Sequence, residues 1–178
     1  MKKKEKAKQL LEQMRSGKRV EIWEAAKALL VLREKTAVPL LMRILKGDPR
    51  AEVRSAAAYV LGLGKHSVAR ETLQRIVKNR KERCSVRGHA AEALGYLGDK
   101  RSIRALLSGL SDAETEVRFW SIFALGEVGD SHVIEALEQI VKAPTADAWE
   151  GRSLKSEASE ALAEIRRRVK NRRTARGS

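Results

Sequence analysis

Apolar and polar positions along this chain fall into one phrase that returns at intervals of 31 to 37 residues. VRSAAAYVLGLGK from Val53, VRGHAAEALGYLGD from Val86 and VRFWSIFALGEVGD from Val117 are near copies. EIWEAAKALLVLRE from Glu21 is a weaker copy, and LKSEASEALAEI from Leu154 is a half-copy. In the third copy Val86, Ala90, Ala93 and Leu97 sit at i, i+4, i+7 and i+11, with Leu94 beside them, which is one face of an amphipathic helix. Gly98 predicts a left-handed stop, and Ile103, Leu106, Leu107 and Leu110 predict a second, shorter helix. The same plan places stops at Gly64 and Gly129, with Arg33 in that position in the first copy. Asp112 is placed to cap the helix that opens the fourth copy. Leu10, Leu11 and Met14 predict a helix packed ahead of the first copy, and a long helix from about Leu154 should close the other end.

A unit of this length cannot bury its own apolar face, so neighbouring units must stack. The pattern predicts an all-α solenoid over residues 20–165, with four repeats and a half-repeat and no β-sheet. Residues 1–19 form a basic N-terminal cap and residues 166–178 a basic C-terminal tail.

Charge is informative only once located. The net charge is +14, which would ordinarily point to nucleic acid or an acidic partner. Residues 1–19 hold eight cations against two acids, and residues 166–178 hold seven cations and no acid, which leaves the repeats within one charge of neutral. One internal cluster, Arg75 to Arg87, adds Lys78, Arg80, Lys81 and Arg83. With the tail residues Arg166, Arg167, Arg168, Lys170, Arg172 and Arg173, these are the candidate contacts for phosphate or for an acidic partner. Cys84 is the single cysteine, so neither an intrachain disulfide nor a cysteine metal cluster can form; a reducing cytoplasmic setting is expected. The basic N-terminus lacks the apolar stretch of a signal peptide, and no run is long enough to span a membrane.

If the valine face is buried, repeat positions three, four, seven and eleven point outward. Six of the seven aromatic residues fall on this register: Trp23, Tyr59, Tyr96, Phe119, Trp120 and Phe123. His89, Glu92 and Glu127 accompany them, and Trp149 lies before the last helix. An exposed aromatic row with carboxylates among it reads as a binding surface for a basic or amphipathic protein segment. Arg54, Arg87 and Arg118 follow the repeat valines, and with Asp48 and Asp112 upstream they read as a ladder between repeats.

The phrase VR-x-x-AA-x-AL-G-x-LGD followed by a short Leu-rich helix resembles the bacterial HEAT-like repeat named after phycobilisome lyases. That resemblance covers roughly residues 20–165 and implies a right-handed superhelix of helix pairs, usually an interaction scaffold. Some members of such families attach bilin chromophores; others hydroxylate a modified lysine at a di-iron site that needs His-Glu dipeptides at repeat positions three and four. Here those positions read Trp23-Glu24, Ser55-Ala56, Gly88-His89, Phe119-Trp120 and Ser156-Glu157. No His-Glu dipeptide is present, and His66 and His132 fall in turns. The expectation is therefore a non-enzymatic interaction scaffold with no metal and no cofactor, binding a protein along the aromatic face. Alternatives are a nucleic-acid-associated module and an accessory subunit of a chromophore-lyase-like complex.

Overall fold

The computed structural model describes residues 2–144 and 147–174, with side chains up to Asn171. Among the described residues ten helices follow one another: α1 (Lys3–Ser16), α2 (Arg19–Leu32), α3 (Val38–Gly47), α4 (Ala51–Leu63), α5 (Arg70–Lys78), α6 (Cys84–Leu97), α7 (Ile103–Gly109), α8 (Thr115–Val128), α9 (Ile134–Lys142) and α10 (Leu154–Thr174). The copies of the phrase are α2, α4, α6 and α8, and they lie side by side in sequence order with α10 closing the row. Val53, Val86 and Val117 are fully buried at equivalent places, so the predicted register holds.

The phase of the pairing differs from the sequence expectation. Each short helix packs closest on the long helix that follows it: α3 on α4, α5 on α6, α7 on α8, α9 on α10. By the same rule α1 pairs with α2, burying Ala7, Leu10, Leu11 and Met14. The chain is thus five helical hairpins, with α1 a full member of the first. At the first junction Asp48–Arg50 folds α3 back onto α4, whereas a left-handed residue and a 3-10 turn separate α2 from α3.

Two details of termination also differ. Gly98 is left-handed as expected (φ 70°), but Gly64 is helical and Lys65 takes the positive φ in its place, while Gly129 is extended. Asp112 does not cap α8; Glu114 holds that position, and the Asp112 carboxylate accepts from the Glu114 N–H while gripping two arginines. A two-residue antiparallel ladder, β1 (Ala148–Trp149) with β2 (Arg152–Ser153), precedes α10 where no strand was expected.

The glycine within each phrase sets the spacing of the long helices. A Cβ on Gly62 would lie 2.5 Å from the Ala93 Cα, and one on Gly95 2.9 Å from the Ala124 Cα. Gly126 meets Ala161 in the same way. Backbones therefore touch across these interfaces, which no larger residue permits. Along the loops, Arg54, Arg87 and Arg118 form the expected ladder. Each donates to a backbone carbonyl just upstream (Asp48, Glu82 and Asp112) and reaches the carboxylate of Glu82, Asp112 or Asp147 in the next hairpin. Arg87 grips Asp112 through Nε and Nη2 at 3.0 and 2.8 Å, inside the protein, the bidentate geometry that fixes hairpin orientation.

Candidate functional site

The long helices present one wall on which the outward register gathers. From α2, Trp23 meets Tyr59 of α4 edge to face at 5.6 Å and stacks on His89 of α6 at 5.0 Å. Rings two helices apart touch, so the row of helices curves inward here. On α8, Trp120 meets Phe119 at 5.3 Å and Phe123 at 5.6 Å, and Phe123 meets Tyr96 of α6 at 5.6 Å. These edge-to-face contacts hold the rings in fixed relative orientations. The β1–β2 hairpin adds Trp149 against both Phe119 and Trp120, at 5.1 and 5.2 Å.

Two carboxylates belong to this wall. Glu92 is only 6 % exposed and makes no ion pair among the described residues. Burial raises its pKa to about 7, with the Glu116 charge adding to the rise and a hydrogen bond from Tyr96 opposing it. Burial likewise raises Glu116, followed by the charges of Glu150 and Glu114, with the Arg87 charge opposing the rise. Tyr96 is pushed up to about 12, first by burial and then by the charge of Glu92. Tyr59 rises for the same two reasons. His89 is lowered by burial, which a hydrogen bond to the Ser85 carbonyl partly offsets. Gly88 is what brings the second carboxylate in: a Cβ there would lie 3.1 Å from both Glu116 and Trp120. The buried Trp120 Nε1 has no hydrogen-bond partner among the described residues. Aromatic faces and two buried carboxylates, of which Glu92 has no ion-pair partner among the described residues, make a receptor for an ammonium-bearing group.

Not every predicted residue stands on this surface. Phe119 is fully buried, because Trp149 covers it and the Arg152 guanidinium sits 4.3 Å over its ring. It is core, not an exposed contact. Glu127 is exposed at the wall's edge, and Trp23, Tyr59, His89, Tyr96, Trp120 and Phe123 are half-buried. Glu116 and Trp149 were missed as site residues. Glu116 sits in the first turn of α8, a common place for an acid, and only the missing side chain at Gly88, in an outward position, hints at a neighbour reaching across.

The basic clusters are largely committed within the chain. Arg80 pairs with Asp112 and donates to the Ser108 carbonyl. Arg166 pairs with Glu138 and Arg167 with Glu164, while Arg168 donates to the carbonyls of Gly126, Glu127 and Gly129 at the end of α8. Lys78, Lys81, Arg83 and Lys170 are exposed, and the side chains of Arg172 and Arg173 lie outside the described residues.

Repeat positions three and four do not fit an iron pair. Glu24 is exposed, Gly88 has no side chain, Phe119 is core, and the buried Glu157 is paired with Arg152 at 2.9 Å. The His89 ring is packed on Trp23. Among the described residues no three His, Cys, Asp or Glu side chains converge as a metal site.

Stacked helix pairs with the same arginine ladder repeated between them define a helical-repeat protein, and the model of HEAT repeats matches residues 7–84 and 79–163. The chain belongs to the HEAT-repeat family. It is similar to a deoxyhypusine hydroxylase of Phaeosphaeria nodorum, 40 % identical over 93 residues, 51 % of this chain and 28 % of that protein. The Chaetomium globosum deoxyhypusine hydroxylase is also 40 % identical over 93 residues, 51 % of this chain and 27 % of that protein. Protein YibA of Escherichia coli K12 is 31 % identical over 116 residues, 64 % of this chain and 40 % of its own length. The chain thus spans well under half the length of these curated relatives. These likenesses correct the expectation of a non-enzymatic scaffold, and with it both alternatives: several relatives that share the repeats carry the name of an enzyme. No helix among the described residues is long and apolar enough to cross a membrane.

Proposed function

We propose that this chain carries the substrate-engaging wall of an enzyme related through its repeats to the deoxyhypusine hydroxylases. In this reading the wall receives a protein segment by one long cationic side chain, of which deoxyhypusine is the model. The observation that carries it is Glu92, buried beside Tyr59, Tyr96 and Glu116, with no ion-pair partner among the described residues. An amine entering between the rings would be held by cation–π attraction and would favour the ionised form of both carboxylates. Tyr96, already hydrogen-bonded to Glu92, would orient that carboxylate. No oxidation step is assigned to these residues, because repeat positions three and four do not supply a ligand set. The phrase VR-x-x-AA supports the phycobilisome-lyase type of repeat and its right-handed turn as part of the same reading. Lone Cys84 supports a cytoplasmic setting.

The test uses peptides that differ only at a central residue: deoxyhypusine, lysine or uncharged norleucine. Calorimetry should find the two amine peptides bound and the norleucine peptide not, with deoxyhypusine tighter because its longer chain passes both carboxylates. Glu92→Gln should weaken the amine peptides about thirtyfold or more, the scale of losing one desolvated charge partner. Equal binding of norleucine, or no binding of any peptide at millimolar concentration, overturns the reading.

A further inference from the structure

The first long-helix interface is built unlike the others, and the difference leaves a site that the inner wall does not use. Where later copies place a glycine on one helix against an alanine on the next, α2 offers Leu30 and α4 offers Val60. Two branched side chains hold the helices apart. A cleft of about 470 Å3 opens at their C-terminal ends, lined by Leu29, Leu30, Val38, Leu41, Val60 and Leu63. Its rim carries Arg33, Lys35 and Lys65 against the single acid Glu34, whose carboxylate is engaged by the Thr36 N–H.

Two features of this rim point to a ligand. Arg33 and Lys65 both occupy left-handed backbone, at φ 51° and 54°, where glycine would be unstrained. Two strained cations at equivalent helix ends face one apolar cleft, and neither makes an ion pair among the described residues. An apolar lining drawn from both helices under a cationic rim is the complement of an amphipathic helix with apolar anchors on one face and acids on its flanks.

We infer that the cleft between α2 and α4 docks an acidic amphipathic helix of a partner protein, its apolar anchors between Leu30 and Val60 and its carboxylates on Arg33, Lys35 and Lys65. The site is independent of the amine-receiving wall, so either assignment can fail alone.

The probe is a synthetic helix with Leu on one face and Glu on both flanks, its charge-reversed Leu/Lys counterpart serving as control. Fluorescence anisotropy on the full chain should show the Leu/Glu helix bound, more weakly as salt rises, and the Leu/Lys helix unbound. Replacing Arg33→Gly and Lys65→Gly together removes two cations and relieves the left-handed strain. Affinity should fall about tenfold while the melting temperature holds or rises. Should that variant fail to fold, Arg33→Gln with Lys65→Gln makes the same comparison without touching backbone freedom. The proposal is overturned if the Leu/Lys helix binds as well, if neutralising the cations leaves affinity unchanged, or if neither helix binds at millimolar concentration. Binding of dodecanoate without the peptide also overturns it and makes the cleft a lipid site.

Discussion

The α2–α4 and α4–α6 interfaces are written in the same phrase and come out differently. Between α4 and α6 the helices touch backbone to backbone across Gly62 and Ala93. Between α2 and α4 the same two positions are Leu30 and Val60, and a cleft remains. Close packing tolerates no gap or overlap at the first contact, so one residue on each side decides whether an interface seals or opens. The tight interfaces make a continuous core that can hold a precise wall. The loose one leaves apolar surface that something else can cover.

The largest expected effect comes from forcing the second kind of packing on the first. Gly62→Val places a branched side chain where even a Cβ would lie 2.5 Å from backbone. Urea denaturation should show a loss of about 3 kcal/mol or more, or no folded protein.

Breaking the ladder at its most buried rung should come next. Arg87→Met strands Asp112, whose side chain is fully buried, with only the half-exposed Arg80 left. A loss of about 3 kcal/mol is expected, with less for Arg54→Met because its partner Glu82 retains some solvent. Asp112 itself is held below the usual carboxylate range: burial opposes this, but hydrogen bonds from Arg87 and the Glu114 N–H outweigh it. Its folded pKa is depressed, so its contribution is present above the unfolded pKa and lost as acid takes the pH through the folded value. Arg87→Met should flatten that acid limb.

Glu92 works in the opposite direction. Its folded pKa is raised, from 4.5 to about 7. The folded protein therefore holds more protons than the unfolded chain between those values, and stability falls as pH rises through that window. Glu92→Gln should remove the fall and stabilise the protein at pH 8 by on the order of 2 kcal/mol, with little difference below the unfolded pKa. Equal stability of variant and parent across the whole range would mean that solvent reaches Glu92. The smallest effect belongs to the loose interface: Leu30→Ala trims a half-exposed side chain beside an existing cleft. It should cost about 1 kcal/mol at most.

Much of the fold was legible because a repeated phrase states the same fact several times. Val53, Val86 and Val117 could be placed in the core from periodicity alone, and Gly98 as a left-handed stop from its place after the last apolar residue. The pairing phase was not legible. Closest packing is set by which apolar faces meet once the chain has turned, not by where a phrase begins: α9 packs on α10 across the longest connection, residues 143–153. The candidate wall was half legible. Trp23, Tyr59, Tyr96 and Trp120 follow from the register, but Phe119 shares that register and is buried. Trp149 covers it from a hairpin that no periodicity announces. Glu116 joins the wall only because Gly88, on another helix, has no side chain to keep it out.

By itself the amino-acid order determined the helices, their amphipathic faces, their stacking in sequence and the neutrality of the body between two basic ends. Those are local matters of spacing and composition. The tertiary structure decided which outward residues stay outward, which carboxylates lose their water and which interface stays open. Each of these depends on a distance between residues far apart in the chain, and a distance of that kind exists only once the helices have packed.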